Sequence, residues 1–509
     1  MDLPWWKRSA IYHINPRSFA DASGDGIGDL AGICQHMDHV SWLGVDGVSI
    51  GPIYPSPMAD LGYDVANFAD VDPVLGTLDD FDELLRSAHR RGLRLLLDWV
   101  PNHTSDRHPW FMASRGSRGN PYRDWYWWCD RPNRWQRAYS DAPAWTLDPR
   151  TGQHYLHQFL PQEPDLNWAK PGVRNAMYDT LRFWLDRGVD GFSADVVHLI
   201  GTDPPLPDHP NARSHLSRAS FHIDPRTHGW LREIRTVLDG YDDDRVLVGR
   251  VDLPDPTAAA SYAGPDELHL ALQYSLLQAA WDATAFRDVI ASVEAATTAS
   301  GAWPAWLLSH HDAFRLRTHD RDSEARARVA ALVLVTLRGT PVLYAGEELG
   351  LEDAVVPPDS AVDHGRRDPC RGPIPWHGRP GHGWAGDTPW LPWPPDADTR
   401  NAAAQRRDPS SIAGLYRRLL RRRRGDEVLQ VGDLELRDVH TEVLAYDRVS
   451  VAGRRRVLAN FADEPTTVDG ADWTVAVATR PDRDNERFDG HLDAGEAVVL
   501  QPAGCRHQR

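Results

Sequence analysis

Residues 191–200, GFSADVVHLI, set the terms for the rest of the chain. They read as a short buried strand that delivers one carboxylate, Asp195, to its C-terminal end, after a Phe- and Trp-bearing helix at 173–187. Three other stretches share this design: LLLDWVPNH at 95–103, VLVGRVDL at 246–253 and WLLSHHDAFR at 306–315. Each is an apolar, β-forming run that ends in polar groups. Where such strands alternate with helices, a parallel sheet can close into an eight-stranded barrel, and the strand ends then line one pocket.

The rest of the chain fits that plan. Strands are expected at 10–15, 45–50, 93–100, 245–250, 268–272, 306–309 and 342–344, besides the one at 191–200. Helices are expected at 30–42, 78–91, 173–187, 229–238, 285–299, 323–338 and 410–424. The helix at 78–91 is amphipathic, with Phe81, Leu84, Leu85 and Ala88 on one face. From 104 to 168 helical periodicity gives way to dense Trp, Tyr, Pro, Asp and Arg, which reads as a small inserted domain after the third strand. A Pro- and His-rich loop spans 201–228, and a Pro/Gly/Trp loop spans 353–398. After residue 426 short alternating strands (LELRDV, VLAYDRV, RRRVLANF) indicate a separate β-sandwich. The expected division is therefore a barrel over 1–103 and 169–425, an insertion at 104–168 and a C-terminal unit at 426–509.

Charge and cysteines narrow the function classes. A net charge of −17 argues against nucleic acid or an anionic membrane as partner. Cys34, Cys129, Cys370 and Cys505 show neither metal spacing nor a disulfide framework, which fits a reducing compartment. The start, MDLPWWKRSA, has no apolar signal core and no stretch reaches transmembrane length, so a cytoplasmic location is expected. The 21 tryptophans offer faces that suit sugar rings, although core packing accounts for most of them. In the run Asp21-x-Ser23-x-Asp25-Gly26-Ile27-x-Asp29, oxygen ligands alternate around glycines as in a Ca²⁺ loop. It lacks a Glu at the twelfth position, and a solvated Asp/Gly turn is the alternative.

The motifs PRSFADASGDGIGDL, PIYPSPMADLGYDV, LLLDWVPNHTS, PDLNW, LRFWLDRGVDGF, LRGTPVLYAGEELG and RDPCRGPIPW run along nearly the whole sequence. Through them the chain resembles glycoside hydrolase family 13, the alpha-amylase superfamily, and within it bacterial alpha-glucosidases and oligo-1,6-glucosidases. The resemblance implies a (β/α)8 TIM barrel, an inserted domain B after the third strand and a C-terminal antiparallel β-sandwich. It also implies a retaining mechanism, with a nucleophile and a protonated acid about 5–5.5 Å apart. By this match Asp195 is the nucleophile and Asp312 the third carboxylate, beside the anomeric centre. His103 and His311 would hold ring hydroxyls, Tyr63 would stack under the sugar, and Asp98 would be a structural carboxylate. Asp60 and Arg371 would close the pocket around the non-reducing end. Asp21, Ser23, Asp25, the Ile27 carbonyl and Asp29 would bind a structural Ca²⁺. The implied partner is a sugar, oligosaccharide or pseudo-sugar.

The sequence departs from the family where the chemistry lies. Ser193 stands where the family strand GFRxD has arginine, and Arg250 stands where the proton donor follows glycine. His310 replaces the Asn of the family's NHD, Glu163 the Gln before PDLN, and His13 and Asn15 the usual Gln and Tyr. A guanidinium does not give up a proton near pH 7. The expectation is thus a degenerate site, a pseudoenzyme that binds an alpha-glucoside or pseudo-sugar without ordinary hydrolysis. Two alternatives stand beside it: glycosyl transfer through Asp195 from an activated, for example phosphorylated, donor, and a working glucosidase with Glu163 as substitute acid. The cluster of His103, His310, His311, Asp98, Asp195 and Asp312 also has donors enough for a transition metal, but sugar-hydroxyl and structural roles account for these residues.

Overall fold

The computed structural model describes residues 3–504 except 139, 203–224, 243, 320–322, 364, 387 and 471. Most of the loop expected at 201–228, and Cys505, therefore lie outside the described residues. Eight parallel strands close into a barrel: β1 (Ile11–Ile14), β2 (Gly47–Ile50), β3 (Arg94–Trp99), β7 (Gly191–Ala194), β8 (Val246–Arg250), β9 (Leu270–Gln273), β10 (Trp303–Trp306) and β11 (Thr340–Tyr344). Each pairs with its neighbours in sequence except β3, which pairs with β7, and β11, which closes onto β1. Between β3 and β7 the chain inserts β4 (Trp128–Cys129), β5 (Trp145–Asp148) and β6 (Gln153–Leu156) as a three-stranded sheet.

Strand alternation positions the site. Successive side chains of a strand point to opposite faces, and two separate buried clusters record this. Ile11, Leu96, Val246, Val248, Leu270, Leu272 and Val342 pack inside the barrel. Tyr12, Ile14, Leu95, Leu97, Phe192, Ala194 and Leu247 face outward against the helices. Two residues further along each strand, the inward series reaches His13 after Ile11, Asp98 after Leu96 and Arg250 after Val248. On β7 the inward position is Ser193, and Asp195 follows it. The apolar floor of the barrel thus leads directly to a ring of polar side chains.

The helices start and stop where local chemistry requires. Helix Leu30–Leu43 is capped by Asp29, which accepts from Gly32 N, and ends at Gly44 with φ 98°. Helix Leu78–Arg90 carries a capping box between Thr77 and Asp80. Two expectations shift. The strand expected at 306–309 lies three residues earlier, at Trp303–Trp306. Its last ladder partners are Gln273 and Pro341, and Leu307 and Leu308 stay buried after the strand has left the ladder. The C-terminal unit begins with a short helix, Glu427–Val431, capped by Asp426, instead of a strand.

Beyond that helix lie β12 (Asp433–His440), β13 (Val443–Ser450), β14 (Gly453–Asn460), β15 (Thr466–Thr467), β16 (Trp473–Ala478), β17 (His491–Leu492) and β18 (Ala497–Pro502). They form a five-stranded antiparallel sheet, β12-β13-β14-β18-β16, and a two-stranded ribbon, β15-β17. One face of the large sheet packs on the ribbon through Val443, Leu458, Val468, Leu492 and Val498. The other face, with Leu444, Tyr446, Val457 and Val499, joins the main core, where Tyr446 Oη lies 2.7 Å from Thr336 Oγ1. Among the described residues, no helix is long and apolar enough to cross a membrane.

The approach of β7 to β8 has little slack. A Cβ added at Gly191 would come within 2.1 Å of the Val246 carbonyl oxygen, which is backbone and cannot swing away. Gly191→Ala is therefore expected to destabilise the chain by about 1–3 kcal/mol, the usual penalty for overpacking. A denaturant titration that shows no loss would refute this reading of the strand contact.

Candidate active site

The side chain at the centre of the strand-end cluster is Arg250, 3% exposed. Its Nη2 donates to Asp98 Oδ2 at 2.6 Å and to Tyr63 Oη at 2.9 Å. Nη1 donates to His311 Nε2 at 3.1 Å and lies 3.7 Å from Asp312 Oδ2. Nε lies 3.3 Å from Asp195 Oδ1. One guanidinium thus reaches three carboxylates, from β3, from the end of β7 and from the segment after β10. Burial would lower its pKa, but Asp195 and Asp98 outweigh burial and hold it firmly protonated.

Ser193 explains how this arrangement fits. It lies on β7 with its register partner Val248 on β8, and Ala194 partners Gly249. Ser193, Ser49, His13, His310 and Arg250 share a cavity of ≈ 20 Å³ with the apolar floor residues Ile11, Leu96, Val248, Leu272 and Val342. That is room for about one water. The small side chain at 193 leaves space under the pocket, and the arginine enters from the adjacent strand.

The carboxylates feel this charge unequally. Asp195 is pushed up to about 6 by burial, with Arg250 pulling it down and Asp312 and Asp98 pushing it up. Asp312 is held well below the carboxylate range, because Arg367 and Arg371 override its burial. Val196, directly after Asp195, adopts the left-handed region at φ 37°, ψ 40°, a costly conformation for a β-branched residue. Two carboxyls nearby are raised: Glu163 to about 7, by burial opposed by His103, and half-buried Asp252, by burial and then Asp312.

The histidines divide into two groups. His13, His310 and His311 are buried, and burial keeps all three neutral, with His13 and His311 both lowered to about 3. Because arginine only donates, His311 Nε2 accepts from Arg250. Its Nδ1–H then donates to His13 Nε2 at 2.9 Å. His103 behaves oppositely. Burial would lower it, but Glu163, with Oε1 3.4 Å from Nε2, and then Asp165 and Asp195 raise it to about 9.

The expected closing pair is made differently. Asp60 ion-pairs with Arg367, not with Arg371. Arg371 instead donates Nη2 to Asp312 Oδ1 at 2.7 Å and Nε to the His311 carbonyl at 2.8 Å. Arg367 also lies 3.2 Å from Asp312 Oδ1 and 2.6 Å from Asp363 Oδ1. The 3-10 turn Asp368–Arg371 places the two arginines four residues apart around Asp363. Reading the sequence missed Arg367, although its i,i+4 spacing from Arg371 in RRDPCR was there to see. Asp60, Glu163 and Arg367 line a neighbouring cavity with Arg137, Ser140 and Phe159. Tyr63 lies over His311, ring centroids 5.7 Å apart, and 5.1 Å from Arg250 Cζ.

The loop at 21–29 is compact. Asp29 Oδ2 accepts from Ala22 N and Ser23 N, and its Oδ1 caps the following helix at Gly32 N. Asp21 accepts from Gly24 N and Gly26 N, and Asp25 accepts from Ile27 N at 2.9 Å. Each carboxylate oxygen has lone pairs beyond these bonds, and with the Ser23 hydroxyl and Ile27 carbonyl the donor set is all oxygen. That chemistry suits a hard cation.

A closed parallel barrel with an insertion after its third strand, an antiparallel C-terminal sheet and carboxylates gathered at the strand ends defines the class of barrel glycosidases. Residues 13–432 match the alpha amylase catalytic domain. A probable alpha-glucosidase from Rhizobium meliloti (strain 1021) is 38% identical over 502 residues, covering 92% of this chain and 91% of that one. An oligo-1,6-glucosidase from Parageobacillus thermoglucosidasius is 33% identical, covering 91% and 92%. Among solved structures, the alpha-glucosyl transfer enzyme XgtA aligns with a TM-score of 0.91 at 33% identity, covering 98% of this chain and 99% of that one. The chain belongs to the alpha-amylase family, glycoside hydrolase family 13, and is similar to its alpha-glucosidases.

The His103–Glu163 pair gives a pH prediction. Both groups bind their proton more tightly in the folded than in the unfolded chain, where their ordinary values are 6.5 and 4.5. Their stabilisation is full below those ordinary values and is lost as pH rises through about 7 for Glu163 and about 9 for His103. Thermal stability should therefore fall progressively from about pH 4.5 to about pH 9. Glu163→Gln, which removes the charge that raises His103, should flatten that fall. An equal slope in the variant would show that the pair is not its source.

Proposed function

We propose that this chain is a family 13 alpha-glucosidase homologue that binds an alpha-glucoside or pseudo-sugar ring without ordinary retaining hydrolysis. The observation that carries this reading is Arg250 itself. At the end of β8 it presents a buried guanidinium, committed to Asp98, Tyr63 and His311, and a guanidinium has no proton to give a leaving group at neutral pH. General acid catalysis typically supplies about 10²–10⁴ in rate, and that contribution is absent. The residues that the family resemblance gives to ring binding, Asp60, Tyr63, His103, His311, Asp312 and Arg371, are all present, with the structural carboxylate Asp98 beside them.

A second reading is favoured by the 3.3 Å approach of Arg250 Nε to Asp195 Oδ1. Although Ser193 offers the nucleophile no charge, Arg250 supplies one from the neighbouring strand. Asp195 then attacks a donor whose leaving group needs no proton, and the glucosyl unit passes to an acceptor. A third, hydrolysis with a substitute acid, would draw on Glu163 or on half-buried Asp252, both raised by burial.

Substrate choice separates these readings. Turnover of maltose and isomaltose is expected to be undetectable or at least about 10²-fold below a working relative. Alpha-glucosyl fluoride, which bypasses the acid, tests Asp195 alone: turnover abolished by Asp195→Asn supports transfer chemistry, and none supports a binding protein. Robust hydrolysis of maltose that falls in Glu163→Gln or Asp252→Asn would overturn both and identify the acid. Arg250→Glu alone is not expected to restore hydrolysis, because it takes the counter-charge from Asp98 and Asp195; Ser193→Arg with Arg250→Glu supplies an acid and a counter-charge together. Calorimetry with glucose, acarbose-like pseudo-sugars and glucose 1-phosphate, with Asp312→Ala as control, tests ring binding. Absence of heat at millimolar ligand would refute it.

We also propose that Asp21, Ser23, Asp25, the Ile27 carbonyl and Asp29 hold a structural Ca²⁺. Support comes from the all-oxygen donor set and from the role of Asp29 as a helix cap. Chelation should lower the melting temperature, and Asp25→Ala should remove that sensitivity. A chelator-insensitive wild type would exclude the site.

A further inference from the structure

Two of the departures from the family converge on a third histidine. His13 comes from β1 and His310 from the segment after β10; the family pattern has Gln and Asn there, whereas His311 is retained. The structure brings one ring nitrogen from each of these three residues within 4.8 Å of one another, and among the described residues this is the one such group of histidines, cysteines or carboxylates. His13 Nε2 and His311 Nδ1 are 2.9 Å apart, and the His310 and His311 ring centroids are 4.0 Å apart. All three residues are at most 5% exposed. We propose that His13, His310 and His311 form a three-imidazole site for a borderline transition-metal ion of the zinc or cobalt(II) class.

Three observations support a ligand here beyond the cluster itself. Nitrogens that share a tetrahedral ion at about 2.0–2.1 Å sit roughly 3.3 Å apart, so small ring movements suffice. Ser49 Oγ, the register neighbour of His13 on β2, is buried and has no hydrogen-bond partner. It lines the ≈ 20 Å³ cavity together with His13 and His310, so a fourth, oxygen position has room. Asp312 supplies the outer carboxylate that metal-binding histidines commonly carry. Its Oδ2 is 3.2 Å from His311 Nε2 and 3.6 Å from His310 Nδ1.

The same contacts state what binding must displace. Without the ion, Arg250 donates to His311 Nε2, and the Asp312 N–H donates to His310 Nδ1 at 3.3 Å. An ion on His311 Nδ1 moves the ring proton to Nε2, where Tyr63 Oη at 2.8 Å or Asp312 accepts it and the Arg250 Nη1 contact is lost. Metal occupancy and the position of Arg250 are therefore coupled. The ion competes with the guanidinium for one histidine and favours a looser Arg250.

The test uses the full chain, stripped with a chelator, freed of any affinity tag and held in calcium so that the loop at 21–29 is filled. Zinc and cobalt(II) are offered separately, and bound metal per chain is measured after gel filtration. About one ion per chain is expected, with the intense visible absorption of four-coordinate cobalt on nitrogen ligands. His310→Asn and His13→Gln restore the family's residue types. Each should weaken uptake at least about 100-fold while circular dichroism stays unchanged. Wild-type protein that takes up no more metal than the variants, or that shows only the weak absorption of oxygen-ligated cobalt, overturns the proposal. In that case the cavity holds water.

Discussion

One buried guanidinium holds the strand ends of this barrel together electrostatically. Asp98, Asp195 and Asp312 come from β3, from the end of β7 and from the segment after β10, and would repel one another in a site from which water is largely excluded. Arg250 meets all three, at 2.6, 3.3 and 3.7 Å. Removing one partner of such a buried cluster commonly costs about 3–5 kcal/mol, because the remaining charges lose their compensation. The hydrogen-bond directions around the pocket follow from this side chain as well. Since arginine donates only, it fixes His311 Nε2 as an acceptor, and His311 in turn fixes His13.

Much of this was legible in the sequence. The inward positions Ile11–His13, Leu96–Asp98 and Val248–Arg250 follow from strand period alone, and four apolar runs with polar ends were enough to call for a barrel. What escaped depends on side-chain reach and on where ladders stop. The last buried residues of β10 were read as strand because they are apolar, yet Leu307 and Leu308 pack without ladder partners. Arg367 takes Asp60 in place of Arg371 because a 3-10 turn rotates the two arginines around Asp363, and no linear motif records that rotation. The contact between His103 and Glu163 joins the barrel to the insertion over sixty residues, a separation at which residue type says little about pairing.

The insertion and the C-terminal sheet support the same centre from outside. Glu163 and Phe159 reach the pocket from the inserted segment. The outward face of the C-terminal sheet merges with the helical layer around the barrel. The cavity beside the strand ends and the helices around the barrel are thereby each packed against a further part of the chain. The left-handed Val196 beside Asp195 is held in the same way, by buried neighbours on both sides of the chain.

The residues at positions 193 and 250 also constrain which substitutions the pocket accepts. The two residues open on one small cavity, and each is tolerable because of the other. An arginine at 193 could not simply be added beside Arg250, since two guanidiniums would share space fit for about one water. Without Arg250, Asp98 and Asp195 would lose the guanidinium that lies within 3.3 Å of both, while Asp312 would keep Arg367 and Arg371. A change at either position alone is therefore unfavourable, and the two residues act as one unit. The scaffold around them can vary more freely than the origin of the central charge.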